Sequence, residues 1–158
     1  MTRQAKLAAS LLIPVVCVCQ ASASPDPNDV ARLTGVWRGQ RTMESKGSDC
    51  RLANAGQGVG VRLTFDVKAD GSFEAVQAMA PDYKPLPTHW HGQLGEGGRV
   101  DAVVPATAVC RKAKREYSIF LRGRLVQSQG EVALQLTGQD LACPPTCIFE
   151  RDYKLKPE

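Results

Sequence analysis

The clearest pattern in the chain is a strict alternation of apolar and polar residues over 59–68. A period of two residues predicts a β-strand with one buried face and one solvent-exposed face. The same alternation also predicts the number of residues in the turn that follows. A three-residue loop places Val67 opposite Phe73, whereas a two-residue loop would place Val67 opposite Glu74 on the apolar face. We therefore predict a three-residue loop with Gly71 in the left-handed position.

Less regular versions of this pattern predict eight strands in all. They span about 33–41, 59–68, 72–79, 89–94, 99–104, 116–127, 131–138 and 148–155. Between the sixth and seventh strands, a two-residue turn over 129–130 places Leu125 opposite Leu134, so that the apolar faces agree. Residues 80–88 carry three prolines and are predicted to form a loop, because proline cannot donate to the ladder of a central strand. Residues 105–114 are predicted to form another loop.

Eight strands with almost no helix indicate an all-β fold, either a barrel or a sandwich. The predicted connections alternate between short and long. In an up-and-down barrel, this alternation places the long loops at one end and the tight hairpins at the other. We therefore predict an eight-stranded antiparallel up-and-down barrel, with a two-sheet β-sandwich as the alternative.

The start of the first strand carries a second indication of the fold. Residues 28–32 are typical of one short helical turn, and Gly35-x-Trp37 opens the strand directly after it. This arrangement resembles the start of the lipocalins and their calycin relatives, in which the tryptophan plugs the closed end of the barrel. The resemblance implies structural roles for Gly35 and Trp37, and a basic residue of the last strand stacked on the indole. Arg151 looks like that residue, expected within about 6 Å of the ring of Trp37 in a cation–π contact.

The N-terminus has the three parts of an export signal. Arg3 and Lys6 supply positive charge, residues 7–19 are apolar, and residues 21–23 (Ala-Ser-Ala) form a small-residue cleavage site. The apolar run is shorter than the roughly 20 residues of an ordinary membrane span. We therefore predict that residues 1–23 are a cleaved signal peptide and not a membrane anchor.

Cleavage would leave a flexible lead-in with a short helical turn over 24–31 and a single barrel domain over 32–158. The full chain has 20 Lys and Arg against 16 Asp and Glu, and two of the basic residues lie in the signal. The charge that remains is close to balanced, which gives no case for nucleic-acid binding. We expect a periplasmic or secreted monomer.

Four cysteines follow the signal: Cys50, Cys110, Cys143 and Cys147. An even number of cysteines in an exported chain predicts two disulfide bonds, and three connectivities are open. We favour a bond between Cys143 and Cys147, whose short ring is bent by prolines, with the other two cysteines paired. A zinc site is the functional alternative for these side chains.

Polar and aromatic residues near the long-loop end are the candidates for binding. The predicted binding rim consists of Tyr83, His89, Trp90, His91, Arg111, Lys112, Lys114 and Arg115. The four basic residues suit an anionic partner. His89 and His91 would lie about 6.6 Å apart on one strand face, close enough to share a metal, although histidines beside a proline loop are more often surface residues.

No combination of side chains indicates catalysis, because no serine lies in a glycine elbow motif, the cysteines are expected to be oxidised and the carboxylates are scattered. We predict a non-catalytic, exported binding protein of the cell envelope that needs no cofactor. It would hold a small apolar or anionic ligand at the disulfide-braced end of the barrel. The alternative is a protein-binding module or enzyme inhibitor that uses the same rim. An empty barrel interior would favour the first function, and a filled interior the second.

Overall fold

The structure, a computed structural model, describes residues 24–46, 56–110, 113–143 and 147–158. The expected signal, residues 1–23, lies outside this described part. Helix α1 spans Pro27–Leu33, and the strands are β1 (Gly35–Lys46), β2 (Val59–Val67), β3 (Ser72–Met79), β4 (Lys84–Leu94), β5 (Arg99–Cys110), β6 (Ala113–Ser128), β7 (Glu131–Cys143) and β8 (Cys147–Pro157). Among the described residues, no helix is long and apolar enough to cross a membrane.

The eight strands form one closed barrel. Each strand pairs antiparallel with the next, and β8 pairs antiparallel with β1. This order confirms the predicted up-and-down barrel and excludes the two-sheet sandwich.

The β2–β3 hairpin forms as predicted. Val67 lies opposite Phe73, and the backbone N–H of Lys68 donates to the carbonyl of Ser72 at 2.8 Å. Gly71 has a φ of +82°, which a residue with a side chain rarely adopts. The three-residue loop and its left-handed glycine are therefore confirmed.

The β6–β7 hairpin also has the predicted turn. Residues 129 and 130 both have positive φ, at 52° and 84°, which is typical of a two-residue type I′ turn. Leu125 lies opposite Leu134, so the apolar faces of the two strands coincide.

The loops at the other end of the barrel differ from the prediction. Strand β4 already begins at Lys84, so the loop predicted over 80–88 is confined to 80–83. Strands β5 and β6 run to within two residues of each other, so the loop predicted over 105–114 is wrong. A three-residue connection also joins β7 to β8 where a long loop was expected. Proline is tolerated in β4 because Pro85 and Pro87 lie in a stretch that does not pair with β5.

Helix α1 covers the end of the barrel that carries the tight hairpins. Pro27 lies in its first turn, and the side chain of Asp26 caps it by accepting from the backbone N–H of Asn28. Trp37 is 1% exposed, and its Nε1 donates to the carbonyl of Leu33 at 2.9 Å. We call this the closed end, and the end where β1 stops and β2 begins the open end.

The inward faces of all eight strands contribute to one apolar core. Its largest fully buried side chains are Trp37, Trp90, Leu33, Leu63, Leu94, Leu121, Leu134, Leu136 and Leu155. The core surrounds Trp37 and fills the interior towards the closed end. A ligand inside the barrel would therefore be restricted to the part of the interior nearer the open end.

Candidate functional site

Polar side chains enter the barrel interior on the open side of Trp37. Alternate residues of a strand share one face, so Arg41 lies on the same inward face of β1 as Trp37, about 13 Å further along the strand. The β1–β8 register places Arg41 opposite Tyr153. Arg151 lies on the same face of β8, two residues nearer the open end. Two guanidinium groups thus share this part of the interior.

Tyr153 connects these groups to the core. It is 3% exposed, and its ring meets the ring of Trp90 edge-on, with centroids 5.2 Å apart at 82°. The guanidinium groups of Arg41 and Arg151 lie close enough to its hydroxyl to act on its pKa. Arg151 Nη2 also donates to Tyr117 Oη at 3.4 Å. We call Arg41, Trp90, Tyr117, Arg151 and Tyr153 the donor cluster.

Electrostatics keep the Tyr153 phenol neutral. Burial raises the pKa of this hydroxyl, and the positive charges of Arg41 and Arg151 only partly oppose that effect. A guanidinium group can only donate hydrogen bonds, so the two arginines present donors and no acceptor to Tyr153 Oη. The neutral hydroxyl keeps its own proton and can itself donate a hydrogen bond.

Two buried nitrogens of the donor cluster have no acceptor among the described residues. They are Arg41 Nε and Trp90 Nε1, and both side chains contact Tyr153. A buried donor without a partner costs about 1–3 kcal/mol, and more when it is charged. An anionic or carbonyl oxygen placed here would remove that cost, so the cluster is suited to bind an acceptor.

The predicted contact between Arg151 and Trp37 is wrong. The β1–β8 register places Pro157 opposite Trp37 and Arg151 opposite Met43. Six residues of extended strand separate Pro157 from Arg151, about 20 Å, which is far beyond the reach of a cation–π contact. Arg151 is still an inward-facing charge, but it lies beside Tyr117 and Tyr153 of the donor cluster.

Trp90 faces the interior and does not belong to the rim. It is 0% exposed, while His89 and His91 on either side are exposed on the outer face. His91 Nδ1 lies 3.7 Å from the Glu74 carboxylate. In the part of the chain that the structure describes, no three His, Cys, Asp or Glu side chains come together in a metal-binding arrangement.

Tyr83 packs on the outer wall of β1 and β2. Its ring lies under the guanidinium groups of Arg38 and Arg62, whose central carbons are 4.7 and 5.8 Å from the ring centroid. Gly60 leaves room for the phenol, because a Cβ at this position would lie 2.8 Å from Tyr83 Oη. The residue is thus half-buried against the wall and does not face the barrel mouth.

The basic run is described only in part. Lys114 and Arg115 are exposed at the start of β6, which lies at the open end. Arg111 and Lys112 lie outside the described residues. The binding role of this run stays a prediction.

The disulfide predictions also fall outside what the structure describes. Cys50 lies in the undescribed segment 47–55, and the side chains of the other three cysteines are not described. The backbone register does place Cys143 opposite Cys147.

Arg41 and Tyr117 are the site residues that the sequence interpretation missed. The signal for Arg41 was available, since it shares the period-two face of Trp37 and is a charge among inward positions. For Tyr117, nothing local in the sequence indicates that its hydroxyl meets Arg151 from β8. Gln77, 4% exposed, is a further interior polar residue, and its amide donates to the sulfur of Met79.

No protein-family model matches the chain, and no curated protein matches it.

Proposed function

We propose that this protein is a non-catalytic binding protein that holds the anionic head of a small ligand, a carboxylate in the first place, inside the barrel at the donor cluster. The observation that carries the proposal is the pair of buried, unpartnered donors, Arg41 Nε and Trp90 Nε1. Both lie against the same buried phenol, Tyr153. No described residue supplies an acceptor for either nitrogen.

A carboxylate fits this chemistry better than a neutral group does. Its oxygens accept several hydrogen bonds, and those from a guanidinium group are charge-assisted. The Tyr153 hydroxyl and the Trp90 N–H could complete the shell of donors. The apolar remainder of the ligand would contact Met79, Val104 and Ala106, which pack against the core nearby. The ligand class is therefore a small amphipathic monoanion.

In this proposal the protein is an exported, lipocalin-like carrier of the cell envelope. The closed eight-stranded barrel and the Gly35-x-Trp37 opening supply the support for the lipocalin likeness. The signal peptide and the two disulfides remain part of the proposal, and they would place a stable monomer in the periplasm or outside the cell.

A protein-binding rim is the second candidate. Lys114 and Arg115 are exposed together at the open end, where they could meet an acidic partner. The filled interior at the closed end also limits the space for a ligand. This candidate predicts that the isolated protein has no affinity for small anions.

The test uses a dansyl-labelled undecanoic acid as a fluorescent probe, together with its uncharged methyl ester. Wild-type protein should bind the acid more tightly than the ester. Arg41→Met removes the charge but keeps an unbranched apolar side chain, and should weaken binding of the acid by about 10–100-fold, the worth of a charge-assisted hydrogen bond. Binding of the ester should change little.

The matched control is Arg124→Met, which makes the same substitution at an exposed position of β6. It should leave the affinity for both probes unchanged. Equal affinity of wild-type protein for acid and ester, or an Arg41→Met variant that binds the acid as wild type does, would overturn the proposal. Absence of any probe binding would favour the rim.

A further inference from the structure

The barrel wall has a gap between β4 and β5. Among the described residues, pairing between these strands is confined to residues 91–94 of β4 and 100–103 of β5. The strands themselves are 11 and 12 residues long, and β5 pairs with β6 along its whole length. Residues 84–90 and 104–110 therefore face each other across the wall without a ladder.

Two features of the sequence keep the gap open. Pro85 and Pro87 in β4 and Pro105 in β5 lack the N–H that a ladder requires. In addition, residues 85–89 of β4 lie opposite residues 76–78 of β3, so β4 has two more residues than its partner strand here. The extra residues form a bulge, and a bulged strand bends away from its regular course.

A solvent-open pocket of about 540 Å³ lies on the outer surface beside this gap. It is lined by Thr88 of β4, residues 105–107 of β5 and residues 116–118 of β6. This volume is in the range of small-molecule sites. Tyr117 belongs both to the lining and to the donor cluster, because its hydroxyl accepts from Arg151. One side chain thus connects the outer cavity to the interior site.

The same prolines argue against a peptide as the occupant of the gap. An unpaired strand edge can accept an added strand, but the affinity comes from main-chain hydrogen bonds. Proline on an edge is a common device that prevents such pairing. A gap with three prolines is therefore poorly suited to strand addition, whereas the passage of a small molecule needs no backbone donors.

We propose that the gap between β4 and β5 is a lateral portal through which the small anionic ligand reaches the donor cluster, with Tyr117 as the side chain that moves aside. This inference rests on the proposed function and specifies its route of access. It differs from access through the open mouth of the barrel, which the lipocalin resemblance would imply.

The test narrows the portal without changing the donor cluster. Thr107 is exposed and lines the cavity, so Thr107→Trp places an indole at the outer side of the gap. The matched control is Thr137→Trp, at an exposed position of β7 away from the cavity. Ser118→Trp, also exposed at the cavity, is the second portal variant and serves if Thr107→Trp does not fold.

Binding of dansyl-labelled undecanoic acid is followed by stopped-flow fluorescence. The portal variants should slow both association and dissociation about tenfold while the Kd stays within about twofold of wild type, because a portal affects the barrier and not the bound state. Thr137→Trp should have wild-type rates. Unchanged rates in both portal variants would overturn the portal but leave the proposed function standing.

Two other outcomes are distinguishable. A weaker Kd with an unchanged association rate would mean that the cavity is part of the binding site, and it would overturn the portal. If wild-type protein does not bind the acid at all, the proposed function fails and the portal fails with it.

Discussion

The two tryptophans of the barrel are equally buried, yet their surroundings differ. Trp37 is 1% and Trp90 0% exposed. Trp37 Nε1 donates to the Leu33 carbonyl, whereas Trp90 Nε1 has no acceptor among the described residues. The closed end is thus apolar with its indole N–H satisfied, while the donor cluster retains unpaired donors. Such donors reduce stability, and in our proposal they are the groups that bind the ligand.

The sharpest test of this comparison makes the same substitution at both tryptophans. Trp37→Phe should lower the free energy of unfolding by about 2–4 kcal/mol, because it leaves a cavity and an unpaired Leu33 carbonyl. Trp90→Phe leaves a similar cavity but removes an unpaired donor, so it should cost about 1–3 kcal/mol less. Urea unfolding followed by circular dichroism measures both values. Equal losses at the two positions would contradict the distinction.

Alkaline pH should act through the donor cluster. Burial raises the pKa of Tyr153 above its ordinary value of 10.0, so the folded state retains the phenol proton more strongly than the unfolded state does. This contribution to stability is complete below pH 10.0 and is lost as the pH rises through the folded pKa. The free energy of unfolding should therefore fall more steeply above that pH in wild type than in Tyr153→Phe.

The charge of Arg41 lowers the same pKa, so Arg41→Met should raise it further and extend the alkaline fall in stability to higher pH. Ultraviolet titration of the phenolate gives the pKa directly. If the stability of wild type and of Tyr153→Phe changed with pH in parallel, the pKa of Tyr153 would not be raised in the folded state.

The smallest effect is expected at the β2–β3 hairpin of the closed end. The Asp70 carboxylate accepts from the hydroxyl and the backbone N–H of Ser72, at 2.6 and 2.9 Å. These bonds hold the pKa of Asp70 below 3.8. The associated stability is present above that value and is lost as the pH falls through the lowered pKa.

Ser72→Ala should therefore move the pKa of Asp70 upwards, as measured by NMR titration of the carboxyl carbon, and should leave probe affinity unchanged. An unchanged pKa would mean that the hydroxyl contributes nothing. A change in probe affinity would mean that the closed end and the donor cluster are not separate.

Much of the strand pattern was predictable because it depends on neighbours in the chain. The alternation over 59–68 and the turn at Gly71 specify the β2–β3 hairpin completely, down to Val67 opposite Phe73. The site was less predictable. Trp90 was assigned to the rim from its residue type, although the period of two that places His89 outside must place Trp90 inside.

The prolines misled the interpretation for a physical reason. Proline excludes a strand only where its missing N–H would face a partner strand. Pro85 lies opposite Ala78 of β3 on one side. Whether a strand also pairs on its other side depends on how closely β5 approaches, and no local pattern encodes that distance. The gap that tolerates the prolines is a property of the assembled wall.

The sequence by itself determined the eight strands, their inward faces and the two tightest hairpins, since side-chain alternation and turn chemistry act over a few residues. The tertiary structure decided which inward residues meet. Closure of a barrel links strand tilt and stagger around the whole sheet. That closure separates Arg151 from Trp37, and it brings Arg41, Trp90 and Tyr153 together from β1, β4 and β8.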